Sequence, residues 1–166
     1  MAAAETRRLF PKPKAILLDI EGTTTSITFV TDTLFPFARQ NLSDFLWKNY
    51  EHSDIQQKLK EIKQIHQTQS NAANQASTSC VRSKKEEIEF VCSILYQWMD
   101  KNAKITPMKS LQGMIWKTGY KDGKLKGHLY KDAFECIVKQ WSERQRIPIY
   151  IYSSGSVQAQ RLRSEE

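Results

Sequence analysis

The sequence lacks any apolar run long enough to cross a membrane. No stretch of about eighteen consecutive apolar residues occurs in its 166 residues, so a transmembrane helix is not predicted. Residues 1–14 contain two arginines, one glutamate and two prolines without a continuous apolar segment, which argues against a secretory signal or a transit peptide. We therefore expect a cytoplasmic protein, with the nucleus left open as a further location, and a flexible segment at residues 1–13.

Cysteine and histidine are scarce, and neither is spaced as in metal sites. Cys80, Cys92 and Cys136 contain no Cys-x-x-Cys pair, and an odd number of cysteines without a secretion signal is typical of reduced thiols. We interpret Cys92 and Cys136 as small apolar fillers. The three histidines have no metal-ligand spacing, so no role is assigned to them.

The sequence also lacks a basic stripe that alternates with aromatic residues, although its formal net charge is +7. Its lysines and arginines are scattered in short clusters, which is typical of solvated faces. We predict a monomer with no nucleic-acid partner and no membrane partner, and a positive field that suits a phosphorylated small molecule. A nucleic-acid binder is the third hypothesis, and it predicts salt-sensitive binding to oligonucleotides.

Two short apolar runs predict β-strands. Residues 15–20 form a continuous run of the kind found in strands that are buried on both faces. Residues 147–152 form the second run, with Pro148 near its start, where a missing backbone donor is tolerated. Each run ends in a cluster of polar residues.

Apolar stripes at helical spacing occupy much of the long segment between these strands. They lie in four parts of the chain: residues 34–50, 83–99, 106–119 and 130–141. Ser83 and Glu86 form a capping-box pattern, and Thr106 is predicted to cap the third helix, with Pro107 in its first turn. All four stripes are interpreted as core-facing surfaces.

Polar stretches are predicted to connect these helices. Residues 67–79 are low in complexity, which predicts a mobile connection, and Lys121–Lys124 predicts a turn. The predicted fold class is therefore α/β, with a partial parallel-sheet core and an inserted all-helical cap. The predicted boundaries are residues 14–30 and 146–166 for the core and 31–145 for the cap.

The first polar cluster has the residue types of a phosphoryl-transfer site. Ligands of open parallel sheets bind at the carboxyl ends of strands, where Asp19 would be a rigid nucleophile. Glu21 would lie on the same side of an extended chain as an acid/base. Gly22 and Thr23 would bring backbone N–H groups to a phosphate. Two acids beside a phosphate require a divalent cation, and oxygen ligands favour Mg²⁺.

The second polar cluster is suited to holding phosphoryl oxygens. Ser153 and Ser154 supply hydroxyl groups, and Gly155 opens a predicted helix whose N-terminus would attract an anion. Either cluster alone could be a solvent-facing turn. Together, each closing an apolar strand, they indicate a magnesium-dependent aspartyl phosphatase.

Three segments resemble the haloacid dehalogenase superfamily and, more narrowly, the enolase-phosphatase (acireductone synthase) family of methionine salvage. They are Ile16–Thr25, Leu111–Trp116 and Ile149–Gln160. The resemblance extends over residues 14–162 and implies a Rossmannoid parallel-sheet core with a helical cap. Many superfamily phosphatases have aspartate two residues after the nucleophile, and glutamate at position 21 fits this narrower family.

The resemblance implies a bifunctional enzyme. Its substrate would be 2,3-diketo-5-methylthiopentyl-1-phosphate, which is enolised and then dephosphorylated to the acireductone with Mg²⁺. Asp19 is implied as nucleophile and metal ligand, Glu21 as a metal-associated acid/base, and Ser153 and Ser154 as phosphate ligands. The helical cap would close over the site and exclude water. The residue that abstracts the proton in the enolisation step is not identified.

The sequence departs from the family pattern after its second strand. The family continues with βα units that carry a phosphate-binding lysine and an acidic magnesium motif, and no residue here matches either. Two strands alone cannot bury both faces of Ile16–Leu18. We therefore expect a truncated chain (a splice product, a fragment or a wrongly predicted gene) with poor activity. The alternative hypothesis is an inactive form that acts as a helical interaction module.

Overall fold

The computed structural model describes residues 12–70 and 83–153. These residues form two compact units, one of residues 12–27 with 128–153 and one within residues 28–127. The segment 128–145, which the sequence analysis placed in the cap, therefore groups with the strands. Hydrogen bonds connect this segment to the residues after the first strand: the Ser26 N–H donates to His128 Nδ1, and the Tyr130 N–H donates to the Thr24 carbonyl oxygen.

The first unit contains a small parallel sheet. β1 (Ile16–Leu18) pairs in parallel with β2 (Ile149–Ile151). The register places three pairs opposite each other: Ile16 with Ile149, Leu17 with Tyr150, and Leu18 with Ile151. Pro148 contributes its carbonyl oxygen, which accepts the N–H of Ile16 at 2.9 Å, so its missing N–H costs no ladder bond. The predicted α/β class with two parallel strands is confirmed.

One face of this sheet is open to solvent. Leu17 is 66% exposed and its neighbour Tyr150 is 59% exposed. The prediction of a first strand buried on both faces is therefore wrong for the part of the chain that the structure describes. The physical reason is the one expected for two strands, since a sheet this narrow cannot cover both of its own faces.

The second unit is helical. A π-helical turn at Val30–Leu34 leads into the first of four helices. Their bounds are α1 (Phe35–Asn49), α2 (Ser53–Ser70), α3 (Lys84–Asp100) and α4 (Thr106–Lys121). No helix within the described residues is long and apolar enough to pass through a bilayer.

Apolar faces of α1 to α4 pack together as the core of the helical unit. The innermost side chains include Ala38, Leu42, Leu46, Leu59, Ile62, Val91, Leu95, Leu111 and Ile115. Three of the predicted stripes are thus confirmed as core-facing.

Cys92 is buried in the same cluster. Desolvation raises the pKa of its thiol to about 11. A thiol of this kind is typical of a filler side chain rather than of a reactive one.

The predicted helix ends are only partly confirmed. Ser83 and Glu86 form the capping box, because the Ser83 N–H donates to the Glu86 carboxylate at 2.8 Å and the Glu86 N–H donates to Ser83 Oγ at 3.3 Å. Thr106 is not the cap of α4, however. Ile105 holds that position and Thr106 begins the helix. Pro107 is compatible with a helix that begins at either Thr106 or Pro107, since the first N–H groups of a helix have no intrahelical acceptor.

The connections also differ in part. Residues 67–70 belong to α2, so the predicted mobile connection does not begin at residue 67, and its remainder lies outside the described residues. The turn after α4 is confirmed. Its Gly123 has φ +66°, a left-handed conformation that glycine adopts without a steric penalty.

The fourth apolar stripe is not an ordinary amphipathic helix. After α5 (Lys131–Ala133), residues Phe134–Arg144 are π-helical. Phe134 is 43% exposed and Tyr130 is also exposed, so their predicted core-facing role is wrong. Hydrogen bonds from residue i+5 to residue i change the angular spacing of side chains. Residues spaced for a 3.6-residue turn therefore do not share one face here.

Candidate active site

β1 leads into a tightly hydrogen-bonded turn, and we call residues 19–26 the Asp19 loop. The carbonyl oxygen of Ile20 accepts three backbone N–H groups at 3.0 to 3.2 Å, from Thr23, Thr24 and Thr25. The Thr24 hydroxyl also donates to this oxygen, at 3.3 Å. Gly22 has φ +82°, which is why the tightest point of the loop requires glycine. The chain therefore turns after Asp19, and the extended conformation on which the predicted same-side placement of Glu21 depends is not present.

Asp19 is the first residue beyond the strand. Its side chain is exposed, and its Oδ1 atom accepts the backbone N–H of Ile20 at 2.8 Å. This bond restrains the carboxylate next to a backbone that the sheet already fixes. A restrained, solvent-accessible carboxylate meets the positional requirement of a nucleophile for a soluble substrate.

Gly22 and Thr23 use their backbone N–H groups inside the loop. The Gly22 N–H donates to the Thr25 carbonyl oxygen at 2.8 Å, and the Thr23 N–H donates to the Ile20 carbonyl oxygen. In this conformation both donors stabilise the turn. Their assignment as phosphate ligands stays a prediction, and it requires these hydrogen bonds to exchange for bonds to the phosphate.

Glu21 and Ser153 come together from positions 132 residues apart in the chain. The Ser153 hydroxyl donates to Glu21 Oε2 at 3.2 Å. Parallel pairing explains the meeting, because the Tyr152 N–H donates to the Leu18 carbonyl oxygen at 2.8 Å and aligns the carboxyl ends of both strands. Ser154, the other predicted phosphate ligand, lies outside the described residues.

The donor chemistry of the loop suits magnesium. Asp19 and Glu21 supply carboxylate oxygens, and Mg²⁺ is usually bound by one or two carboxylates together with water. No cluster of three or more histidine, cysteine, aspartate or glutamate side chains occurs among residues 12–70 and 83–153. A cation at this loop would be held by Asp19 and Glu21 together with water.

His128 contacts the same loop, although the sequence analysis assigned it no role. Its Nδ1 atom accepts the Ser26 N–H at 3.3 Å and lies 3.0 Å from the Thr25 hydroxyl oxygen. The Tyr130 N–H donates to the Thr24 carbonyl oxygen at 2.9 Å. His128 and Thr25 are 103 residues apart, and neither periodicity nor a motif joins them. No sequence signal could have identified this contact.

An acidic loop and a serine lie together at the carboxyl ends of paired parallel strands, the position at which open α/β sheets bind their ligands. No protein-family model matches the chain. It is 42% identical over 149 residues to enolase-phosphatase E1 of Aquifex aeolicus, a match that covers 90% of this chain and 59% of that protein. It is 44% identical over 149 residues to enolase-phosphatase E1 of Caenorhabditis elegans, covering 89% and 58%.

One solved structure has a similar fold. The crystal structure of the UTR4 protein of Saccharomyces cerevisiae superposes with a TM-score of 0.62 at 30% identity, covering 90% of this chain and 55% of that one. The chain is therefore related to the enolase-phosphatase E1 family, and the resemblance inferred from its motifs is confirmed. It spans a little under three-fifths of the length of the curated relatives named above.

Proposed function

We propose that the chain carries the nucleophile half of an enolase-phosphatase active site of the haloacid dehalogenase superfamily. The substrate would be 2,3-diketo-5-methylthiopentyl-1-phosphate, which is enolised and then dephosphorylated to the acireductone in methionine salvage. The observation that supports this most directly is the hydrogen bond from Ser153 to Glu21 beside Asp19. It brings the two predicted motifs to one place in the unit that contains both strands.

In this proposal Asp19 and Glu21 divide the chemistry of phosphate release. The Asp19 carboxylate attacks phosphorus, and the bond from phosphorus to the substrate oxygen breaks. Glu21, in its protonated form, gives a proton to the departing oxygen. It then takes a proton from the water that hydrolyses the aspartyl-phosphate, so that inorganic phosphate leaves and both carboxyl groups return to their starting state.

The hydroxyl groups would bind the phosphoryl oxygens before this chemistry begins. Ser153 donates to Glu21 in the structure, and a phosphate oxygen would compete for the same hydroxyl. Substrate binding would thereby release Glu21 for proton transfer. Mg²⁺, held by Asp19 and Glu21, would neutralise part of the negative charge of the nucleophile and the phosphate.

We also propose that the helical unit serves as a cap that excludes water from the site. Its support is its position in the sequence, since it interrupts the chain between the two paired strands. The reduced thiols and the small polar substrate favour the cytoplasm as the place of action.

The central test is phosphate release by the full natural protein with Mg²⁺, from the diketone phosphate and from an aryl phosphate. Asp19→Asn should abolish it, because an amide is not a nucleophile towards phosphorus. Asp44→Asn is the matched control, since Asp44 is an exposed carboxylate on α1, and it should leave the rate unchanged. Activity that survives Asp19→Asn would contradict the proposal.

The 166-residue chain should be assayed in parallel. We expect it to be poorly active by itself, because it offers no residue that matches the family's phosphate-binding lysine or its acidic motif. The intact mass of the natural protein, compared with 19.3 kDa for this chain, shows which species acts in the cell. Cooperative unfolding without any phosphatase activity in either species would favour the helical interaction module.

A further inference from the structure

A single ring atom of His128 joins two points of the Asp19 loop. Its Nδ1 atom accepts the Ser26 N–H at 3.3 Å and lies 3.0 Å from Thr25 Oγ1. A backbone N–H can only donate, so Nδ1 is an acceptor and carries no proton. The Thr25 hydroxyl is then a second donor that shares the lone pair of this atom with the Ser26 N–H.

The ring of His128 is held in place by its neighbour along the chain. Tyr130 packs edge-on against it, with ring centroids 5.2 Å apart and planes at 86°, a favourable aromatic geometry. The Tyr130 N–H also binds the Thr24 carbonyl oxygen at 2.9 Å. The segment at residues 128–130 therefore contacts the loop at three successive residues.

These contacts reach Glu21 through Thr25. Thr25 is only 2% exposed, and it pairs with Glu21 in an isolated parallel bridge. Its carbonyl oxygen also accepts the Gly22 N–H at 2.8 Å. Contacts that restrain Thr25 therefore also restrain the Glu21 backbone. The side chain of Glu21 accepts the Ser153 hydroxyl.

We propose that His128 is a positioning residue of this site. By accepting hydrogen bonds from Thr25 and Ser26, it fixes the Glu21 backbone in the position that brings its side chain to the end of β2. His128 itself does not react with the substrate. Its consequence for catalysis rests on the proposed function, whereas its effect on the loop can be measured without any substrate.

The test uses the full natural protein with three substitutions of His128. The substitutions differ in where they place a hydrogen-bond acceptor. His128→Asn puts an oxygen near the position of Nδ1, His128→Gln puts it one carbon further out, and His128→Leu removes it. We expect His128→Asn to keep kcat within about threefold of the wild type. The other two should lose about 10- to 100-fold in kcat, the range for outer residues that orient a reacting group, with KM changed by less than about threefold.

Two kinetic outcomes would overturn the proposal. One is an unchanged kcat in His128→Leu, and the other is a loss in His128→Asn as large as that in His128→Leu. A purely structural role would lower the free energy of unfolding in all three variants without this ranking in kcat. Should the His128 variants not fold, Thr25→Ser and Thr25→Val form a second pair, in which only the serine keeps the donor and only the valine should lose kcat.

A substrate-free measurement separates this inference from the proposed function. In ¹⁵N NMR spectra we expect Nδ1 of His128 to be unprotonated, and the Ser26 amide to be protected from hydrogen exchange in the wild type and in His128→Asn but not in His128→Leu. If this holds and the wild type releases no phosphate, the proposed function fails and the positioning role stands. A protonated Nδ1, or equal Ser26 protection in His128→Leu, would disprove the positioning role whatever the activity.

Discussion

The indole nitrogen of Trp116 donates a hydrogen bond to the backbone carbonyl oxygen of Leu34 at 2.8 Å. Leu34 ends the π-helical turn that precedes α1, and Trp116 lies on α4. The Trp116 ring also packs against Phe35, with centroids 6.2 Å apart. This contact gives a structural reason for the tryptophan of the Leu111–Trp116 motif, since one side chain both packs on α1 and satisfies a carbonyl group next to it.

Trp116→Phe should therefore destabilise the helical unit. The substitution keeps an aromatic ring but removes the indole N–H that donates to the Leu34 carbonyl oxygen, and the loss of one such hydrogen bond costs about 0.5–1.5 kcal/mol. Denaturant unfolding followed by circular dichroism measures the change. Trp47→Phe is the matched control, because Trp47 is 50% exposed on α1, and it should change the free energy of unfolding by less than about 0.5 kcal/mol. Equal effects of the two substitutions would contradict the assignment.

Gly119→Ala should also destabilise this unit. A Cβ atom at Gly119 would lie 2.5 Å from a ring carbon of Phe37 and 2.9 Å from Leu125 Cδ1, distances that force side chains to move. Overpacking of this kind costs about 1–3 kcal/mol. In a double-mutant cycle measured by thermal unfolding, Phe37→Leu should recover part of the loss. Strictly additive losses would show that a steric clash with Phe37 does not cause the destabilisation.

Cys92 should be almost inert towards alkylating reagents in the folded protein. With a pKa of about 11, only about 0.1% of the thiol is ionised at pH 8, and the thiolate is the reactive form. A variant with Cys80→Ser and Cys136→Ser isolates this thiol for a labelling assay. Its reaction should accelerate at least about tenfold in denaturant, where burial is lost. Equal rates in the folded and unfolded states would refute the inference.

Stability should fall as the pH rises above about 10. The Tyr50 hydroxyl donates to the Glu87 carboxylate, which also accepts a hydrogen bond from the Lys63 ammonium group. This hydrogen bond, with burial, raises the pKa of Tyr50 above its ordinary value. A raised pKa means that the stabilisation is complete below the unfolded-state pKa and is lost as the pH rises through the folded-state pKa.

Tyr50→Phe provides the control for this pH dependence. The variant should be less stable than the wild type at pH 8, and its stability should decline less between pH 9 and pH 11. Urea unfolding at several pH values measures both slopes. A decline as steep in Tyr50→Phe as in the wild type would assign the effect to other groups, such as Tyr96, whose pKa is also raised by burial.

The meeting of Glu21 with Ser153 could be predicted from the sequence, because parallel strands bring their carboxyl ends to one edge. The conformation of the loop could not be predicted in the same way. Its turn depends on four hydrogen bonds to the Ile20 carbonyl oxygen, and none of these is visible in a pattern of apolar residues. His128 was missed because the contact joins distant parts of the chain through one ring nitrogen.

The stripes of α1, α3 and α4 could be predicted from their 3.6-residue period, whereas the stripe of Ile55, Leu59 and Ile62 on α2 was missed. The stripe over residues 134–144 was wrong, because i+5 hydrogen bonds break that period. The exposure of Leu17 also could not be predicted from the apolar run at residues 15–20. An apolar run shows that a residue is suited to burial, whereas burial itself depends on what packs against it.

The pairing of β1 with β2 has a consequence for the order of folding. β1 leaves the ribosome early, but its partner follows some 130 residues later, which at about 5–20 residues per second corresponds to a delay of roughly 10 s. α1 to α4 are complete before then, and their contacts lie within one continuous stretch of chain. The helical unit should therefore form first, during synthesis, while β1 and the Asp19 loop remain unpaired. Because such non-local pairing is slow, the last element to fold is the one on which the proposed chemistry depends.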